Sequence, residues 1–222
     1  MKKMFVLAAL AALLVTGAAP TANAAGIIYN NGGPNQVYGT QMSEFLVAEN
    51  FTLGAAASIT NIRFWSLQSA STDYTGSMYW GIYGDAAGSP GAAALHSGVA
   101  GVAGSATGSS TLFNYAEYLF DIPVSFTLGA GNFWLGLHNG SLATTDPTEM
   151  LWETTSIPVG SAGKYLDSFS GWTDSGNEHA FRLDGGDVTN PVPEPSSPLT
   201  LLASGLAIAL FRRMTTTRAA KA

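Results

Sequence analysis

From residue 26 to residue 187 no segment keeps the 3.6-residue apolar repeat with which a helix buries one face. What recurs is a short run rich in β-branched and aromatic residues, closed by a cluster of Gly, Asn, Asp, Pro or Ser. Eleven such runs can be read, at 26–29, 44–53, 58–67, 77–83, 95–102, 111–121, 124–128, 133–138, 150–154, 164–168 and 178–183. In the run 77–83, a period of two puts Met78, Trp80 and Ile82 on one face and Tyr79, Gly81 and Tyr83 on the other. Each apolar face needs a second sheet to cover it, so the expected fold is all-β, an antiparallel β-sandwich or jelly roll. Residues 25–190 are enough for such a core.

One pentapeptide occurs twice: Phe51-Thr52-Leu53-Gly54-Ala55 returns as Phe126-Thr127-Leu128-Gly129-Ala130. Each copy ends a strand, and the glycine supplies the positive φ of a tight hairpin. Two Greek-key halves would give this echo. So would reuse of one turn, which is favoured because nothing outside the pentapeptide aligns.

Charge is segregated. Residues 25–190 hold Arg63, Lys164 and Arg182 against fourteen carboxylates, a balance of −11, while the other six cationic side chains lie near the ends. An acidic domain of this kind is unsuited to nucleic acid or an anionic membrane surface. The absence of Cys removes disulfides, thiolate metal sites and a cysteine nucleophile.

Both ends read as addresses. Lys2 and Lys3 precede the apolar run 5–15, and Ala22-Asn23-Ala24 offers the small residues a signal peptidase requires. Residues 1–24 are therefore expected to be a signal peptide cleaved after Ala24. Eleven helical residues reach roughly 16 Å against a hydrocarbon core of about 30 Å, which disfavours a permanent anchor. At the other end a Pro-rich stretch (191–198) leads to an apolar run (199–211) and a basic tail (212–222). The apolar run lacks a polar face and stands apart from the fold behind Pro198. It is expected to be a short transmembrane helix with its basic end in the cytoplasm and residues 25–190 outside.

The series Val192-Pro193-Glu194-Pro195-Ser196, short apolar helix and Arg212-Arg213 resembles the PEP-CTERM sorting signal of bacterial envelope proteins. Pro198 stands where that family usually begins its helix, and nine residues follow Arg213 where it usually stops. The resemblance implies an exosortase-type partner that cleaves near Pro-Glu-Pro and passes the protein on to the cell surface or beyond. Proline suits such a site, because Pro193 and Pro195 hold the backbone extended for a cleft. Segments 80–85, 133–139 and 180–183 also resemble β-sandwich ectodomains that carry such signals, a likeness that assigns no catalytic residue.

No catalytic motif emerges. Gly-x-Ser-x-Gly is absent, and Gly104-Ser105-Ala106-Thr107-Gly108 reads as loop. There is no phosphate-binding glycine loop, zinc-binding helix or EF-hand. His96, His138 and His179 show no ligand spacing, and His138 marks the exposed end of a strand. Glu149 and Glu153 share a strand face about 13 Å apart, too far for a glycosidase pair. The only cofactor candidate is calcium, at Asp174, Asn177 and Glu178, with further oxygen-rich turns at Asp85, Asp184 and Asp187. The competing reading is that these residues simply build turns. Among the tryptophans, Trp80 and Trp134 read as core and Trp152 as standing in polar company. Trp172, read as loop-borne, is the candidate glycan contact. The sequence thus reads as an exported, non-catalytic surface or matrix protein that binds exopolysaccharide; the alternative is a secreted polysaccharide-active enzyme.

Overall fold

The computed structural model describes residues 26–111, 113–144, 148–167 and 171–188. Ala22 and Ala24 of the expected leader lie outside the described residues. So do Val192, Pro193, Glu194, Pro195, Ser196, Arg212 and Arg213 of the expected sorting region.

Every regular element among the described residues is a strand. They are β1 (Gly26–Asn30), β2 (Pro34–Gln41), β3 (Leu46–Leu53), β4 (Ala57–Gln68), β5 (Met78–Asp85), β6 (Pro90–Ala100) and β7 (Ser105–Ser110). Then follow β8 (Ala116–Leu128), β9 (Gly131–Asn139), β10 (Met150–Thr155), β11 (Lys164–Asp167), β12 (Gly171–Asp174) and β13 (Phe181–Asp187). They form two antiparallel sheets. The six-stranded sheet runs β12-β11-β3-β9-β5-β6. The seven-stranded sheet is centred on β4, which bonds β8 on one edge and shares the other between β13 and β10; β1, β2 and β7 are the outer strands.

The alternation read from residues 77–83 holds. Met78 and Ile82 are buried between the sheets with Trp80 packed against them, while Tyr79 and Tyr83 face outward. The core is aromatic. Phe64 stacks on Phe120 at 5.1 Å and meets Trp152 edge-on at 6.4 Å, and Phe51 crosses from the other sheet to Phe181 at 6.1 Å. Trp152, expected in polar surroundings, is wholly buried, and its indole N–H donates to the Ala180 carbonyl.

Several expectations are corrected. β2, β7 and β12 went unread because their residues are largely polar or small: on an outer strand, main-chain pairing can stand in for apolar content. The runs 111–121 and 124–128 merge into one strand, β8, which begins only at Ala116 and continues across 122–123. Pro123 is tolerated because it pairs with Asn61 at a bulge and lies beyond the β7–β8 pairing, which reaches only to Leu119 of β8. The repeated pentapeptides are not hairpins, and Gly54 and Gly129 do not take positive φ. Each instead carries the chain from one sheet to the other. The two corners lie together, since Leu53 pairs Gly131 and Ala57 pairs Leu128.

A buried hydrogen-bonded link ties the sheets. Glu49 occupies an inward position on β3, and its Oε2 accepts from the His179 backbone amide at 2.7 Å and meets His179 Nδ1 at 2.8 Å. His179 Nε2 in turn meets Thr40 Oγ1 of β2 at 2.7 Å. Burial pushes the Glu49 carboxyl above its ordinary range, and the His179 bonds and charge pull against that rise. Gly163 leaves the room this pair needs, since a Cβ there would stand 2.6 Å from both Glu49 Oε2 and His179 Nδ1. Removing one partner strands the other without solvent. Glu49→Ala is expected to cost about 3–5 kcal/mol in urea unfolding, with Glu49→Gln closer to the native protein.

Candidate functional site

The outer face of the seven-stranded sheet carries a groove of about 500 Å³. Register places Leu67 of β4 opposite both Glu117 of β8 and Leu151 of β10, and the two leucines line it from the sheet. Tyr38, Phe113 and Tyr115 supply aromatic walls; Gln41, Thr111 and Glu149 supply polar groups.

Two local devices raise the walls. On one side the Thr111 hydroxyl accepts from the amides of Phe113 and Tyr115 at 3.3 and 3.2 Å, and Asn114 takes φ +61°. This tight turn projects Phe113 into solvent, where it is 77% exposed. On the other side β2 loses register with β10 and arches, with Gln36 at φ +58° and Tyr38 left 57% exposed. Gly39 brings β2 back down, since a Cβ there would lie 2.7 Å from Leu151 Cβ and 2.8 Å from the Trp152 carbonyl oxygen. Exposed aromatic rings beside a carboxylate and an amide suit a polyhydroxylated ligand with apolar ring faces. Tyr115 hydrogen-bonds Glu149, and that bond raises the phenol's pKa.

Beside the groove, on the same sheet face, lies a carboxyl pair. Glu117 and Glu153 are buried, and neither Oε2 receives a donor from any amide or hydroxyl among the described residues. Glu153 Oε1 accepts the Gln36 amide at 2.5 Å, which fastens the β2 arch. Burial pushes the Glu153 carboxyl up to about 8; the Gln36 bond opposes this, and the charge and side-chain hydrogen bond of Glu117 add to it. Glu153 is therefore largely protonated at neutral pH. Carboxyls in hydrogen-bond contact are closer than the about 5–5.5 Å of a retaining glycosidase, and no sugar fits between them. Glu149 is exposed at the groove and Glu153 is buried beside it, so the two carboxylates read from one strand have separate environments.

Trp172 lies on β12, not in a loop. It is half-buried on the outer face of the six-stranded sheet and meets Tyr83 edge-on at 6.3 Å. Trp134 is buried in the same cluster, with its indole N–H donating to Asp85 Oδ1 at 2.8 Å. Of the candidate calcium ligands, Asp174 pairs with Lys164, and Asn177 donates to the Ser175 carbonyl. Glu178 accepts from the amides of Val159 and Gly160 at 2.7 and 2.9 Å. Among the described residues no three acidic or histidine side chains gather as a metal site. Asp85 also caps its own turn through Gly88, and Asp184 joins Asn61 and Arg182. His96 stacks on Phe126, and His138, expected at an exposed strand end, is buried, which lowers its pKa.

No protein-family profile matches the chain, and comparison with curated proteins finds no match.

Tyr38, Phe113, Tyr115 and Glu117 were not singled out from sequence. The available signal was Phe113-Asn114-Tyr115, two aromatics around a turn-forming Asn. The raised Glu153 carboxyl has a testable consequence. Glu153 titrates higher when folded than when unfolded, so its contribution to stability is complete below about pH 4.5 and is lost as pH rises through about 8. The urea midpoint should fall over that window, and Glu153→Gln, neutral throughout, should flatten the decline.

Proposed function

We propose that this chain is an exported envelope or extracellular-matrix protein whose β-sandwich binds exopolysaccharide without catalysing its cleavage. Its C-terminal region serves as a sorting signal for an exosortase-type enzyme. The observation that carries the binding reading is the groove of Tyr38, Phe113 and Tyr115. Three rings stand at one open trough with Glu149 and Gln41 at hand, and such rings can lie against the apolar faces of sugars.

The rival reading, a polysaccharide-active enzyme, needs two carboxyls placed on either side of a scissile bond. The adjacent pair, Glu117 and Glu153, is buried and mutually bonded, which favours binding over cleavage. The two terminal addresses support export, and the acidic surface supports a life in solution or in a hydrated matrix.

Glycan-array retention, scored together with release of reducing ends, tests the ectodomain. Phe113→Ala and Tyr115→Ala should each weaken retention about tenfold, roughly the 1.4 kcal/mol expected of a lost stacking contact. Trp172→Ala should leave retention unchanged; its loss there would move the site to the opposite sheet. Reducing ends released by the native protein alone would favour the enzyme.

Intact-mass analysis of the mature protein from a host with an exosortase tests the sorting. The expected species lacks residues 1–24 and ends near Pro-Glu-Pro, whereas one extending to Ala222 would refute processing.

A further inference from the structure

We infer that β6 is an association edge through which two copies of this chain pair antiparallel, joining their six-stranded sheets. The inference begins with charge. Residues 86–116 contain no Asp, Glu, Lys or Arg, although the surrounding domain carries a balance of −11. That neutral stretch holds β6, an outer strand of the six-stranded sheet, and β7, an outer strand of the other. The two share one flank: His96 of β6 and Trp80 of β5 both stack on Phe126 of β8, and β8 is the strand that β7 pairs.

An unpaired sheet edge is a template for another strand unless something blunts it. The other outer strands are blunted. β1 is five residues long and bulged; β2 starts at Pro34 and arches; β12 has four residues and ends at the ion-paired Asp174. β7 carries Gly108 at φ +83° and loses register between Ala106 and Ser110. β6 loses register with β5 on both sides of Tyr83, so its part from Pro90 to Leu95 is bulged. From His96 to Ala100 it pairs β5 in unbroken register, and its other edge bonds no strand among the described residues. Leu95 and Val99 stand 55% and 57% exposed beside Ser97. Gly98 stays flat against Trp80, where a Cβ would lie 3.0 Å from the indole nitrogen.

The occupant follows from electrostatics. Two domains of like, strongly negative charge repel at most approaches, and the neutral flank is where they meet with least cost. Antiparallel pairing of β6 with its copy supplies main-chain bonds and brings Ser97 and Val99 of both chains together on one face, with the exposed Leu95 of the bulge beside them. Residues 86–116 themselves offer a cationic partner no carboxylate.

Sedimentation equilibrium of the full chain tests this, in neutral detergent that covers the apolar run 199–211. The native chain should show a monomer–dimer equilibrium. Leu95→Lys with Val99→Lys should weaken dimerisation about tenfold or more through like-charge repulsion, while Ile27→Lys on β1 should not. Because the chain lacks Cys, Ser97→Cys provides a unique thiol, and a short bis-maleimide should join it to its copy. Circular dichroism confirms that the lysine variant is folded, and the thiol variant reads the contact without altering charge. A native chain that stays monomeric would overturn the inference. So would a dimer indifferent to the lysines, or one that the Ser97→Cys thiol fails to cross-link.

Discussion

The seven-stranded sheet depends on β4. Its twelve residues bond β8 along one edge, and the opposite edge holds β13 at one end and β10 at the other. Through β13 it reaches β1, and through β10 it reaches the arch of β2. Its inward residues Ile62 and Phe64 fix the core, while Leu67 on the other face lines the groove. The close passage of β13 needs Gly185, because a Cβ there would collide with the Ser58 carbonyl oxygen. A single strand thus sets the spacing of the core and of the exposed site together.

How much of this was legible in sequence depended on what each residue was asked to report. Alternation in 77–83 named the sheet faces, because burial between two sheets demands a period of two. β2 and β7 were invisible for the opposite reason: Pro34–Gln41 and Ser105–Ser110 carry few apolar groups, and pairing alone makes them strands. Trp152 and His138 were misplaced because neighbours in sequence are poor witnesses to neighbours in space. Glu49 was readable in principle, as a carboxylate at an inward position between Val47 and Phe51, but its partner His179 lies 130 residues away.

The site shows the same limit more sharply. Phe113 and Tyr38 come from distant segments, and each reaches the groove through a backbone irregularity that residue type only weakly announces. The carboxyl pair arises because Glu117 and Glu153 sit on strands that flank β4 from either side. Burial, with the Glu117 charge beside it, favours the neutral form of Glu153. Glu153 also fastens the arch by accepting the Gln36 amide, so the wall bearing Tyr38 is tied to a carboxyl that lies beside the groove.

β1 and β13 bond each other, which means the opening segment of the domain has no neighbour on its sheet until the closing one is present. The first strand to be made is thus held by the last, so this sheet edge closes only when both termini of the domain have come together.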